Sequence, residues 1–127
     1  MELYEEYNIS NEGDAIQGKP NKIIMREQFC KAILDKTRIR LTFYSKEDSR
    51  ELTRVCAPMD YGPSSRAKNN DDRYHLWDYE SDSSNHVLSL LPDQIVRMDF
   101  TTINFEPSDF VTWTTKWFIK RDWGKFS

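Results

Sequence analysis

The sequence lacks the features that mark most secreted, membrane and catalytic proteins. No apolar run approaches the roughly 20 residues that span a bilayer. The first residues, Met1-Glu2-Leu3-Tyr4-Glu5-Glu6, are acidic and lack the basic-then-apolar order of a secretory signal. A cytoplasmic protein without a membrane partner is therefore expected. Cysteine is scarce: Cys30 and Cys56 stand alone, with no CxxC and no disulfide framework. They read as two buried thiols in a reducing compartment. His75 and His86 fit no zinc spacing with them. Four scattered glycines make no phosphate-cradling loop. The carboxylates of Asp71-Asp72 and of Asp78-x-Glu80-x-Asp82 fall in a loop and at a turn, without a matched base or nucleophile. No metal, cofactor or catalytic residue is expected.

Aromatic side chains are plentiful by contrast, with seven Phe, six Tyr and four Trp. Each buries about 150–250 Å², so a few of them supply a core in a chain otherwise rich in charge. The length of 127 residues suits one domain. Net charge is −3 and the isoelectric point lies near 5.4. That balance opposes broad duplex-DNA binding, whose affinity comes largely from phosphate neutralisation. The charge is unevenly spread. Residues 1–14 carry five acidic groups and no basic one, whereas residues 15–54 hold ten basic groups against five acidic. The last twelve residues hold four basic groups against one acidic. A local basic surface is compatible with this pattern, as is an ordinary solvated one.

Residues 8–22 are rich in Asn, Gly, Ser and Pro and read as a loop or mobile arm, so residues 1–24 form an acidic, polar N-terminal segment. Its acidic arm, residues 1–14, is either a mimic of nucleic acid, a contact for a basic partner, or a disordered tail that aids solubility. Met25, Phe29, Ala32 and Ile33 then recur on one face of a short helix. From Arg38 the period becomes two: Ile39, Leu41 and Phe43 share one strand face, and Arg38, Arg40, Thr42 and Tyr44 the other. A polar turn at 45–49 leads to a second strand over 50–57, which Pro58 ends or bends. Residues 60–72 read as a polar loop. Further strands are expected at 73–79, 86–91 and 95–100, with polar turns between them. Five short strands in this order suggest a small SH3/Sm-like antiparallel barrel over residues 25–104, mainly β with short helices. An aromatic, basic extension over 105–127 follows, packed on the barrel or on a partner. Phe110, Trp113 and Trp117 have helical spacing, but Trp117 and Ile119 also alternate, so a helix and a last strand both remain open.

The order of these signals resembles a WYL domain, the Sm/SH3-like barrel of many bacterial regulators, over about residues 28–100. The likeness runs through Ala32–Tyr44, through Arg54-Val55-Cys56-Ala57-Pro58 with its Arg four positions before a Pro, through Tyr74-His75-Leu76-Trp77-Asp78-Tyr79, and through Leu91-Pro92-Asp93-Gln94-Ile95. The name-giving triplet is Tyr-His-Leu here, and Leu88 and Gln94 stand where the family places arginines that line a pocket for an anionic, nucleic-acid-like ligand. The chain would be a standalone member from a bacterium or phage, without a DNA-binding helix-turn-helix. The resemblance implies a ligand-sensing or regulatory accessory domain.

Candidate ligand-binding residues follow. Arg38 and Arg40 would hold phosphate bidentately and Tyr44 would stack on a base, with Arg54 and Arg73 converging there and Tyr74, His75 and Gln94 completing the hollow. The plainer alternative is a solvated strand face with cross-strand ion pairs. In the tail, Trp113, Trp117 and Trp123, interleaved with Lys116, Lys120, Arg121 and Lys125, are either a stacking platform for single-stranded nucleic acid or core and interface anchors. The ligand expected is a nucleotide or single-stranded nucleic acid. Two other classes remain: a protein-interaction module, or homodimer, that inhibits or adapts a larger nucleic-acid-processing complex, and a nucleotide-acting enzyme using His75 or Asp93.

Overall fold

A computed structural model describes residues 22–127 apart from Ser83. The acidic segment expected at the N-terminus lies outside the described residues as far as residue 21, and its last three positions belong to a helix. That helix, α1 (Lys22–Asp35), buries Met25, Phe29, Ala32 and Ile33, the four residues whose spacing defines its apolar face. It ends at Lys36, which takes the left-handed conformation with φ 57°. The Lys36 carbonyl accepts the Phe105 N–H at 2.9 Å and the Asn104 amide at 3.0 Å, tying the helix end to the far end of the sheet.

Five antiparallel strands follow: β1 (Thr37–Ser45), β2 (Arg50–Pro63), β3 (Asp72–Asp78), β4 (Val87–Leu90) and β5 (Ile95–Asn104). The fold is mainly β, and the sheet order is β4-β3-β2-β1-β5. The pairing leaves β4 and β5 as edges, so the sheet is open rather than a ladder closed on itself. Its apolar surface is covered instead by α1 and the C-terminal segment. Ile39, Leu41 and Phe43 are buried on β1 as the alternation requires.

β2 runs past Pro58 and takes in residues expected to be loop. Proline lacks an N–H and is tolerated in a ladder at a bulge. The β2–β3 register shifts between Pro58 and Asp60, and Met59 is the extra residue. A 3-10 turn, Pro92–Gln94, joins β4 to β5, with Gln94 Oε1 accepting the Leu91 N–H at 3.1 Å.

The tail is neither the helix nor the strand that its aromatic spacing allowed. Residues 105–127 form an irregular wrap with 3-10 turns at Pro107–Asp109 and Gly124–Phe126. Phe105, Phe110, Val111 and Trp123 join the same core as the helix and the strands. Phe110 stacks on Trp77 at 5.4 Å. Trp123 Nε1–H donates to the Ile33 carbonyl at 2.9 Å, beside the Lys36 N–H that the same carbonyl accepts at the end of α1.

Candidate functional site

Arg38, Arg54 and Tyr74, expected around one hollow, are each taken up by contacts within the fold, Arg38 and Arg54 at Tyr79 and Glu80 and Tyr74 against Phe29 and Tyr61. Directly opposed residues of an antiparallel pair share a face. Arg54 lies opposite Leu41, with the core-facing set, whereas Arg40 lies opposite Val55 and Asp99 on the other side. The Arg54 guanidinium donates to the Glu80 carbonyl at 3.1 Å and sits 3.7 Å from the buried Asp78 carboxylate. Arg38 donates to the Asn104 carbonyl at 3.1 Å and lies over the Tyr79 ring at 4.5 Å. Tyr44 is exposed opposite Glu51. Arg73 donates to the Ser89 carbonyl at 3.3 Å.

Tyr74 is core, edge-on to Phe29 at 4.8 Å and tilted on Tyr61 at 4.7 Å; burial pushes its hydroxyl pKa up to about 12. Gln94 is used by its turn, and Trp123 by the core. Apart from the exposed Arg40 and Tyr44, these residues serve the fold. Cys56 is buried and Cys30 half-buried, both free thiols, and burial pushes both pKa values up. Neither environment makes a reactive thiolate.

A different surface gathers aromatic and basic groups. The loop after β2, the edge strand β4 and tail residues 113–118 line a shallow, open groove of about 910 Å³. Its floor includes His75 and Ser89, opposed across β3 and β4, with Asp60 opposite His75 on β2. Trp113, 43% exposed and T-shaped to Trp117 at 6.0 Å, and Phe118, 59% exposed with its ring against Gly62, line it. Arg66 and Lys116 bring positive charge.

The tail wall is held by a buried latch. The Asp60 carboxylate accepts the Phe118 N–H at 2.9 Å, the Ile119 N–H at 3.0 Å and the Arg121 guanidinium at 3.1 Å. The Arg121 side chain is wholly buried between the Trp117 and Trp123 rings, 4.1 and 4.5 Å from their centroids. It also donates to the Ile119 carbonyl at 3.0 Å and to the carbonyl of Met59, the bulge residue. Burial lowers its pKa to about 10, against the pull of Asp60, so it stays cationic at neutral pH. Asp60 is thus fully engaged, and the groove presents no unpartnered carboxylate to an anionic ligand.

Gly62 serves the same wall by close approach. A Cβ placed there would lie 2.7 Å from Phe118 Cγ, so only glycine lets the ring lie against β2. Trp117 is anchored from its other side, where Nε1–H donates to the Phe126 carbonyl at 2.8 Å.

Of the residues singled out in the sequence, His75, Trp113 and Trp117 meet at this groove, along with Lys116. Arg66, Ser89, Phe118 and Asp60 were not anticipated as site residues. Arg66 lies in a polar loop with no local signal, and Asp60 finds Arg121 across 61 positions of sequence. His75 bonds Ser89 and Gly62, while Trp77, its sequence neighbour but one, stacks on His86 at 4.8 Å.

Among the described residues no group of three or more His, Cys, Asp or Glu side chains is placed to hold a metal ion, and no helix is long and apolar enough to cross a membrane. Comparison with protein-family models, with curated proteins and with solved structures returns no match to this chain.

Proposed function

We propose that this domain is a non-catalytic binding module that holds a nucleotide or a short single strand of nucleic acid in the groove beside β4, as a sensing or regulatory accessory. The observation that carries the reading is the pairing of two exposed rings, Trp113 and Phe118, with two cations, Arg66 and Lys116, along a groove with no unpartnered acid. Ring faces take any base by stacking, worth about 1–3 kcal/mol per base, and cations track the phosphates. An acidic chain with one local basic-aromatic groove suits a single strand better than a duplex.

The order of one helix, five strands and a 3-10 turn between the last two strands supports kinship with Sm/SH3-like barrels and with the WYL domain. The ligand site proposed here differs from the arginine pocket of that family, in keeping with Leu88 and Gln94 at the family's arginine positions.

Titration with a short mixed-sequence single strand, followed by tryptophan fluorescence, tests the proposal. Quenching is expected, lost in Trp113→Ala and weakened in Arg66→Glu, while Arg40→Glu on the opposite strand face has no effect. An unquenched protein refutes it. A second reading, a protein-interaction module for a larger nucleic-acid-processing complex, is favoured by the open β4 edge, where Val87 is exposed beside the groove. One stoichiometric protein recovered in a pull-down, with no quenching by oligonucleotide, would support it.

A further inference from the structure

We infer that Ser89, set by His75, presents an acceptor to the base edge, so that the groove favours a base carrying an exocyclic amine over the same base without it. The inference rests on the groove reading above and names the chemistry of its ligand. His75 is bonded at both ring nitrogens: Nε2 lies 2.9 Å from the Gly62 carbonyl oxygen and Nδ1 lies 2.8 Å from Ser89 Oγ. A carbonyl oxygen only accepts, so Nε2 carries the ring proton. In the neutral imidazole Nδ1 is then an acceptor, and the Ser89 hydroxyl donates to it.

A serine hydroxyl has one proton. With that proton committed to His75, Ser89 Oγ offers lone pairs alone to anything else that approaches. The arrangement is fixed by the sheet rather than by a mobile loop. Ser89 opposes His75 across β3 and β4, His75 opposes Asp60 across β2 and β3, and Gly62 is the second residue after Asp60 on the same strand.

The polar chemistry of the groove is therefore divided. Arg66 and Lys116 are donors only and suit phosphate oxygens, whereas Ser89 is an acceptor and suits an N–H of the base. Cytosine and its 4-deamino analogue 2-pyrimidinone isolate this difference, whereas uracil would also turn N3 from an acceptor into an N–H donor. The two share the ring, an unprotonated N3 and the backbone, but cytosine carries an amine at C4 where the analogue carries hydrogen. The cytosine amine donates to Ser89; the analogue offers no donor there. His75 acts here as a positioning residue, since it determines which way the hydroxyl points.

Short oligo-dC strands, and strands of the same length built from the deoxynucleoside of 2-pyrimidinone, titrated into the full chain at neutral pH test the inference. The expected result is tighter binding of oligo-dC by about fivefold, the worth of one neutral hydrogen bond. Ser89→Ala is expected to bring the two affinities together, and His75→Phe, which cannot accept, frees the hydroxyl to donate and reduces the preference. Circular dichroism and the melting temperature of each variant report the fold. Equal affinities in the parent protein, or a cytosine preference that survives Ser89→Ala, overturn the inference and leave the groove reading standing. Failure of both strands to bind overturns the groove reading itself.

Discussion

Replacing Arg121 with Met removes the positive half of the latch while keeping a long apolar stem between Trp117 and Trp123. The guanidinium makes three contacts of consequence: with the Asp60 carboxylate at 3.1 Å, with the Ile119 carbonyl at 3.0 Å and with the Met59 carbonyl. Both partners are shielded from water, with Arg121 wholly buried and Asp60 at 9% side-chain exposure. Loss of one partner from a buried pair leaves an uncompensated charge and costs about 3–5 kcal/mol. A domain of this size holds about 5–15 kcal/mol in all, so the loss is a large share of its stability. At roughly 4 °C per kcal/mol, the melting temperature should fall by roughly 12–20 °C.

Urea denaturation followed by tryptophan fluorescence measures the cost directly, since Trp117 and Trp123 flank the latch. The double variant Asp60→Asn/Arg121→Met removes both charges and should recover part of the loss, with a coupling of about 0.5–3 kcal/mol. A cost below ~1 kcal/mol, the value of an exposed pair, would refute the claim that the latch holds the tail. Strict additivity of the two single substitutions would refute it as well.

Further expectations concern the groove, the helix end and one carboxylate. Gly62→Ala places a methyl group against the Phe118 ring, so it should weaken single-strand binding in a fluorescence titration more than it lowers the melting temperature. Trp113→Ala removes a ring that is largely outside the core and should cost about 1–3 kcal/mol of binding with little change in stability. Lys36→Gly relieves a left-handed non-glycine residue at φ 57° and should stabilise the fold by about 1 kcal/mol in urea. Asp78 has its pKa raised by burial, against the opposing pull of the Glu80 N–H and Arg54. The folded state therefore holds its proton to higher pH than the unfolded state, and stability falls as pH rises from the ordinary carboxylate value through the raised one. Asp78→Asn should flatten that part of a plot of urea midpoint against pH.

Local periodicity made the helix and the strands legible in the sequence. Met25, Phe29, Ala32 and Ile33 on one side of α1, and Ile39, Leu41 and Phe43 on one side of β1, needed only a period of 3.6 or 2 to be found. Pro58 misled the reading of β2 because the bulge that accommodates it depends on the partner strand. The tail misled it for a related reason. Phe110, Trp113 and Trp117 have helical spacing, yet Phe110 is fixed by Trp77 and the backbone at 118–119 by Asp60, so tertiary contacts override the local pattern.

The site was less legible than the fold. Charge alone groups Arg40 with Arg54, and the register puts them on opposite faces, because a residue's face is set by its pairing partner. Asp60 with Arg121, and His75 with Ser89, lie 61 and 14 positions apart and become neighbours only when the strands are aligned. Trp113, Trp117 and Lys116 were legible as an aromatic-basic cluster, since the alternation of those residue types is itself local.

Mapping of a bound single strand by amide chemical shifts tests the central claim most directly. Addition of a short oligonucleotide should move the signals of Arg66, His75, Ser89, Trp113 and Phe118 together, with a common affinity, and leave Arg38, Arg40 and Tyr44 in place. Shifts confined to the β1 face, or no shifts at all, would contradict the assignment of the groove as the binding site.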